Sequence, residues 1–327
     1  MVPATPSTNP RRPAPARLWR LTRLSLAYLL DQIHLSRNGA DIVDRLLIAA
    51  VIDANLGAIK LDQGLQFTYG ALDAPSPDAL LRPVSVNAVA QSVGLPFETV
   101  RRRIARLTRE GACVAKDGGI VVPQTALASP GFKRLSVARF ERLRQFHADL
   151  LAAGALPDIG TSPTATTEPR WDGDDPPVRV VNRILAEHLL RFIEAVMRQA
   201  RDPLAALLLL EAARANIQHL PGREPPEGYP VADRLRRPVP ISTLAARLNI
   251  PAETLRRRAA RLERAGLCRR TEGGLIVPAA AVARPQVLTL MEENAGNVRR
   301  MFARLDQIGC LKAWSEAPIG GHAAPRC

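Results

Sequence analysis

The strongest constraint on the fold is that a stretch of 42 residues occurs twice in this chain of 327 residues. Residues 82–123 align without a gap on residues 237–278, and 20 of the 42 positions are identical. The two copies lie 155 residues apart, a separation typical of a whole domain and much longer than the period of a solenoid repeat. The sequence therefore predicts two copies of one domain in a single polypeptide.

The charge and composition narrow the classes of partner. The formal net charge is +14, which favours a polyanion such as nucleic acid or an anionic membrane surface. Only 4% of the residues are aromatic, and this disfavours single-strand binding by base stacking. Apolar runs are shorter than the roughly 20 residues that a bilayer requires, so no membrane partner is expected.

The cysteines and histidines give no sign of a metal or redox site. None of the four cysteines has CxxC spacing, and the five histidines do not cluster with them. We therefore expect no metal and no cofactor, and a protein of the reducing cytoplasm, associated with the nucleoid. Nucleophile–base signatures, phosphate loops and dinucleotide motifs are also missing from the sequence, which predicts a protein that is not an enzyme.

Composition shifts along the chain predict its organisation. The predicted segments are a disordered basic tail (1–17), a first domain (18–154), a flexible Pro/Thr/Asp-rich linker (155–178), a second domain (179–311) and a C-terminal tail (312–327). In each domain two helices precede the repeated unit and one helix follows it. Residues 56–81 and 219–237 are expected to be long loops. The apolar helices near 40–55 and 203–218 are expected core elements, and a homodimer formed through them is one expectation for a partner.

Each repeated unit has the local signals of two helices joined by a tight turn. Ser85 is a good N-cap for a helix over 86–93, and Gly94 then supplies the turn. Pro96 suits the first turn of a second helix over about 96–110, which Gly111 stops. The second copy predicts the corresponding helices over 241–248 and 251–265. The Asp-Gly-Gly sequence that follows lies between two β-branched runs and predicts a hairpin. The expected helix-turn-helix segments are about 85–110 and 240–265, with hairpins at 112–123 and 267–278.

The second helix of each unit is amphipathic. Its apolar residues recur at helical spacing on one face, as Val100, Ile104 and Leu107 in the first copy and Leu255, Ala259 and Leu262 in the second. Arginines occupy the opposite face and both flanks. The pattern predicts a helix that packs inward on one side and presents guanidinium groups on the other.

The order helix, turn, helix, hairpin resembles the DNA-binding unit of MarR-, GntR- and IclR-type bacterial regulators. The resemblance rests on the run LPFETVRRRIARLTREG at 95–111 and on IPAETLRRRAARLERAG at 250–266. It covers about 42 residues per copy. It implies a mainly α fold with small β-hairpins, namely two tandem winged helix-turn-helix domains with extra N- and C-terminal helices. It also implies a sequence-specific binder of double-stranded DNA that regulates transcription.

The candidate DNA contacts follow from that arrangement, because the major groove admits a helix and arginine is the commonest reader of guanine. Arg102 and Arg257 are the first candidates for base contact, and Arg106 and Arg261 the second. The remaining candidates, for phosphate, wing or base-methyl contact, are Thr99, Arg101, Arg103, Arg109, Lys116, Thr254, Arg256, Arg258, Arg264, Arg269 and Arg270.

Two other functions stay open on the sequence. Plasmid or phage replication initiators also place two winged helices in one chain, and their targets would be origin repeats rather than promoters. A protein-interaction scaffold built from tandem winged helices is the third hypothesis, although such scaffolds usually present an acidic or apolar helix surface. The sequence identifies no effector ligand.

Overall fold

The computed structural model describes residues 15–37, 41–158, 175–200, 202–222 and 229–316. Within these ranges the chain is mainly helical and contains two antiparallel two-stranded hairpins. The expected N-terminal tail and most of the expected linker lie outside the described residues. The described chain begins with a helix at Pro15, before the predicted domain start.

The first half contains eight α-helices and one hairpin in its described part. They are α1 (Pro15–Arg37), α2 (Ile42–Asn55), α3 (Gly57–Leu61), α4 (Gln63–Thr68), α5 (Val86–Val93), α6 (Phe97–Arg109), β1 (Val114–Lys116), β2 (Gly119–Val121), α7 (Gln124–Leu127) and α8 (Pro130–Ala152). A short 3-10 turn, Asp78–Leu80, precedes α5.

In its described part the second half repeats this order without counterparts of α3 and α4, and it adds a helix at its end. Its elements are α9 (Val178–Ala200), α10 (Pro203–Ile217), α11 (Ile241–Leu248), α12 (Ala252–Arg264), β3 (Arg269–Thr271), β4 (Gly274–Ile276), α13 (Ala279–Val282), α14 (Pro285–Gln307) and α15 (Cys310–Glu316). A 3-10 turn, Asp233–Leu235, again precedes the repeated unit.

Local capping explains where the helices of the repeated unit begin and end. The Ser85 hydroxyl accepts a hydrogen bond from the Ala88 amide at 3.1 Å, as expected of an N-cap. Gly94 ends α5 in the left-handed conformation, with φ of 64°. Asn249 takes the equivalent place after α11 at φ of 44°, and asparagine is the non-glycine residue that tolerates this region best. The tight turn between the two helices is therefore encoded locally in both copies.

A buried asparagine attaches each hairpin to the second helix of its half, α2 or α10. The Asn55 side chain donates to the carbonyls of Arg82 and Ile120 and accepts from the Val122 amide at 2.9 Å. At the end of α10, Asn216 makes the same three kinds of bond, with Arg237, Leu275 and Val277. Both asparagines are almost fully buried, so water cannot replace these hydrogen bonds. The bonds therefore fix each hairpin on its helix.

Each unit has its own small core. In the first, residues of α2, α5, α6 and the hairpin pack together around Leu47, Val100 and Ile104. In the second, residues of α10, α11, α12 and the hairpin pack around Leu208, Leu255 and Ala259. The apolar faces predicted for the second helix of each unit are thus the faces that turn inward.

The long helices of both halves share one further core, which was not expected of two domains joined by a flexible linker. Tyr28 of α1, Phe146 of α8, Ile184 of α9 and Phe302 of α14 belong to the same hydrophobic cluster. Contacts between halves are reciprocal: α1 packs on α10 and α14, while α9 packs on α2 and α8. The spacing of the two units is therefore set by helix packing, and the reach of the linker does not decide it.

Several expectations about loops and tails need correction. Residues 56–81 contain α3, α4 and a 3-10 turn rather than an irregular loop. The expected tail from residue 312 begins inside α15, where Trp314 is buried against the shared core; residues 317–327 lie outside the described part. Within the chain α2 packs on α9 and α10 packs on α1. The homodimer expected through these helices stays a prediction.

Candidate nucleic-acid interface

The helices α6 and α12 each bury one face and expose the other. Val100, Ile104 and Leu107 are at most 4% exposed in α6. The corresponding residues of α12, Leu255, Ala259 and Leu262, are at most 7% exposed. The opposite faces carry the exposed arginines: Arg101, Arg102, Arg109, Arg256, Arg257, Arg261 and Arg264. Thr99 and Thr254, in the first turns, are partly exposed.

Two of the exposed arginines on α6 have no hydrogen-bonding or ion-pair partner among the described residues. Arg102 and Arg109 form no hydrogen bond or ion pair with any residue in the described ranges. Arg101 instead pairs with Glu98 one turn earlier at 2.8 Å, and this hydrogen bond lowers the pKa of the Glu98 carboxyl. Since both partners are more than half exposed, the Arg101 pair is a weak surface interaction that a phosphate can replace.

Two other predicted contacts on α6 are bound by the helix α2. Asp44 is 6% exposed at its side chain and binds both Arg103, at 2.7 Å, and Arg106. Arg103 also pairs with the N-cap residue Asp41 at 2.9 Å. The hydrogen bond to Asp44 raises the pKa of Arg106. These two arginines therefore hold α6 against α2, and they are less available to DNA than the sequence suggested.

The second copy exposes one more arginine than the first, because Arg261 has no counterpart of Asp44 to bind. Arg258 pairs with the N-cap residue Asp202 at 3.3 Å, as Arg103 does with Asp41. The position of Asp44, however, is occupied by Ala205, and Arg261 is exposed with no ion pair in the described part of the chain. Arg256 and Arg257 share the exposed carboxylate of Glu253. Among the described residues, the Arg264 side chain bonds to the carbonyl of Ala260 in its own helix alone, at 3.3 Å.

The basic residues of the hairpins are tied to their own units. Lys116 donates to the carbonyl of Asp78 at 3.0 Å, and Arg270 binds Glu263 at 2.6 Å. Arg269 lies 3.7 Å from the carboxylate of Asp233 and remains more than half exposed. Arg269 is therefore the hairpin arginine best placed to reach a partner.

Exposed residues outside the predicted set also belong to this surface. Phe97 begins α6 and is 48% exposed, whereas Ala252 stands at the equivalent position of α12. Arg82 and Arg237 are exposed at identical positions of the two copies, each next to a proline that contacts the hairpin. Their identity in the aligned repeats was the signal that would have identified the two arginines. Phe97 carried no such signal, because the repeats differ there.

Cys113, Cys268 and Cys310 are buried free thiols, and burial raises the pKa of Cys113 and of Cys268 to about 11. Among the described residues, histidine, cysteine and carboxylate side chains form no cluster able to hold a metal ion. In the same ranges, every helix is too short or too polar to cross a bilayer.

Comparison of the chain with protein-family models, curated proteins and solved structures gave no match. The functional argument therefore rests on the geometry and charge of α6 and α12.

Proposed function

We propose that this protein binds double-stranded DNA sequence-specifically through two tandem winged helix-turn-helix units and acts as a bacterial transcription regulator. The observation that carries the proposal is the pair of amphipathic helices α6 and α12. Each helix packs against its unit through a buried row of apolar residues and presents exposed arginines on its outer face. A helix of this kind fits the major groove, where arginine reads guanine and neutralises phosphate.

The elements around these helices support the same function. In each copy a shorter helix, α5 or α11, precedes the arginine-bearing helix across a left-handed turn, and a hairpin follows it. This is the element order of a winged helix-turn-helix, in which the second helix enters the groove and the first crosses the backbone. Arg102 and Arg257 take the role of base contacts, and the arginines beside them bind phosphate.

The reciprocal packing of the two halves favours an inverted pair of sites on the DNA. The first helix of each half packs on the second helix of the other half, as in a two-fold symmetric dimer joined into one chain. Symmetric dimers with this motif bind half-sites about 34 Å apart, one helical turn along the duplex. The expected target is therefore an inverted repeat occupied by a single molecule.

The proposal is tested by selecting binding sites from a random duplex library with the intact protein. An inverted repeat should be recovered, and replacing Arg102 and Arg257 with alanine should weaken binding by about 1–3 kcal/mol for each arginine that reads a base. If six arginines contact phosphates, the logarithm of the affinity should fall with the logarithm of salt concentration at a slope of about −5.

The matched control removes two exposed arginines from the long helices instead. Arg134 of α8 and Arg299 of α14 are exposed and form no ion pair within the described residues. The variant Arg134→Ala/Arg299→Ala therefore has the same net charge as the test variant. If both variants lose the same DNA affinity, binding depends only on the overall charge of the protein. An affinity that does not change with salt concentration would reject the proposal.

A further inference from the structure

A cavity of about 110 Å³ lies between the two halves of the molecule, among the helices α1, α2, α9 and α10, with one residue of α8 in its wall. Equivalent residues of the two halves line it. Leu46 of α2 and Leu207 of α10 each lie five residues after the N-cap of their helix, Asp41 or Asp202. The cavity is somewhat smaller than the roughly 150 Å³ space that accommodates benzene in an engineered protein, so it has room for a short organic group.

The charged residues in the wall of this cavity are both arginines. Arg45 belongs to α2 and Arg139 to α8, and the described lining residues include no carboxylate. The charge comes from the first half alone, because Ala206, which also lines the cavity, stands at the place of Arg45 in α10. An opening with two cations and no acidic residue in its wall favours an anion.

Neither arginine has a carboxylate partner among the described residues. Arg45 forms no hydrogen bond or ion pair within those ranges, and Nη2 of Arg139 donates to the hydroxyl of Ser36. Burial, together with the nearby charge of Arg45, lowers the pKa of Arg139 to about 10. Both guanidinium groups are therefore charged at pH 7. Two neighbouring cations that lack a counter-charge leave a place where a bound anion is stabilised.

The terminal nitrogens of these arginines are within reach of a ligand. Both side chains are partly exposed, and in each of them the Nε atom is enclosed without a partner. Nη1 and Nη2 of Arg45 and Nη1 of Arg139 also make no hydrogen bond in the described part of the chain, but they are not enclosed. A carboxylate can accept hydrogen bonds from these atoms, and such charge-assisted bonds are strong.

The remaining surroundings define the other end of the ligand. The walls that face the two arginines are mainly aliphatic and come from α9 and α10. Arg139 also lines a second cavity of about 70 Å³ on the side of the first unit. The carboxylate in that second cavity, Asp53, pairs with Lys60 at 2.9 Å and does not neutralise Arg139. A molecule with one negative charge and a short apolar body satisfies these conditions.

We propose that the cavity between the halves binds a small monocarboxylate, whose carboxylate accepts hydrogen bonds from Arg45 and Arg139. A short aliphatic body packs against the walls supplied by α9 and α10. Because α2 and α10 both line the site, the bound molecule contacts both halves of the chain. This proposal goes beyond DNA binding and does not require it.

The test is calorimetric titration of the intact protein with pentanoate in the absence of DNA. We expect one molecule bound per chain with a Kd of about 1 mM or below. Pentanamide keeps the aliphatic body and loses the charge, and it should bind at least about tenfold more weakly. Acetate keeps the charge and loses most of the body, and it should also bind at least about tenfold more weakly.

Two variants address the two parts of the site. Arg45→Gln removes one cation and should weaken pentanoate binding at least about tenfold. Ala49→Leu installs the side chain of the equivalent residue Leu210, reduces the volume of the cavity and should weaken binding at least about fivefold. Arg134→Gln is the matched control, because Arg134 lies exposed on α8 outside the cavity, and it should bind as the unmodified protein does.

Thermal unfolding of each variant establishes that it is folded, and Arg45→Gln keeps the test decisive if Ala49→Leu does not fold. The site would be overturned if pentanoate showed no saturable binding, if pentanamide or acetate bound equally well, or if Arg45→Gln bound like the unmodified protein. A failure to bind DNA would leave this result unaffected, since the titration contains none.

Discussion

At the scale of single residues, the described histidine with the most strongly perturbed pKa is His188, which the packing of the long helices buries. His188 of α9 is 1% exposed and lies beside the ring of Tyr28 in the shared core. Neither of its ring nitrogens has a hydrogen-bond partner in the described part of the chain. Burial, together with the nearby charges of Arg191 and Arg300, lowers the pKa of His188 to about 4. The native state therefore holds this imidazole neutral at pH 7.

This shift predicts a loss of stability in mild acid. Between pH 6.5 and about 4 the unfolded chain binds a proton at this position and the native chain does not, so the free energy of unfolding falls as the pH falls. The contribution amounts to about 3 kcal/mol across that window and is constant below it. Urea unfolding at several pH values should show this loss in the unmodified protein and not in His188→Leu. Parallel pH profiles for the two proteins would contradict the prediction.

At the scale of elements, α6 and α12 have similar sequences but differ in which of their arginines are available to bind a partner. Both carry the Arg-Arg-Arg triplet, yet the buried Asp44 engages Arg103 and Arg106, while Ala205 leaves Arg261 free. A buried carboxylate requires paired cations, so this pair of arginines has a role in packing that its counterpart lacks. The two helices should therefore contribute unequally to binding.

Exchanging these residues should shift the salt dependence of DNA binding. Asp44→Ala frees Arg106 from its buried carboxylate and leaves Arg103 paired with Asp41 alone, so the slope of log affinity against log salt should become steeper by about 1. Ala205→Asp should make it shallower by about 1. Asp53→Ala is the control, because Asp53 lies on the same helix α2 but pairs with Lys60 at 2.9 Å rather than with α6. An unchanged slope in Asp44→Ala would mean that these arginines do not reach the DNA.

The second hairpin depends on a glycine whose side-chain space is already occupied. Gly274 has φ of 125°, and a Cβ atom built on it lies 2.2 Å from the carbonyl oxygen of Val239. That carbonyl belongs to the bridge that joins the hairpin to the segment before α11. Gly274→Ala should lower the free energy of unfolding by about 2–4 kcal/mol, from clash and backbone strain together.

Gly131→Ala provides the comparison, since it lies in the first turn of α8 with no atom within 4 Å of an added Cβ. It should be neutral or stabilising by up to about 1 kcal/mol. Chemical denaturation of both variants checks the pair. Equal stability of Gly274→Ala and the unmodified protein would show that the hairpin shifts without cost.

Over the whole molecule, the shared core makes the two halves interdependent. Tyr28 and Phe146 from the first half stack with ring centroids 4.2 Å apart, and Phe302 of the second half packs on Phe146 at 5.8 Å. Neither half can expose its long helices without opening this cluster. A single cooperative unit follows from this packing, in place of two independent domains on a flexible linker.

A destabilising change in the first half should therefore lower the stability of the second. Asn55→Ala leaves buried backbone groups without partners and should cost about 3 kcal/mol. Circular dichroism and the fluorescence of the protein's tryptophans, among them Trp314 in α15, should report one coincident transition, shifted to lower urea concentration. Asn87→Ala, which changes an exposed side chain, should leave the transition unmoved. Two separated transitions would contradict the cooperative unit.

The sequence by itself determined the local elements of the repeated unit, because their signals lie within a few residues. Ser85, Gly94 and Pro96 define a cap, a turn and a helix start, and the observed helices α5, α6, α11 and α12 end within one residue of the predicted bounds. The apolar period of α6 likewise predicted which of its faces is buried. The prediction of a loop over residues 56–81 was wrong. The short helices in this segment lack a strong periodic signal in the sequence and are stabilised by packing around Ile59.

Only the tertiary structure decided which arginines are free and how the halves join. Arg106 meets Asp44 across 62 residues of sequence, and Leu30 of α1 packs in the core of the second unit. Such contacts depend on how helices pack in space, and no periodicity or cap encodes that. The repeat predicted two equal copies, whereas the carboxylate of Asp44, which Ala205 replaces in the second copy, made them different.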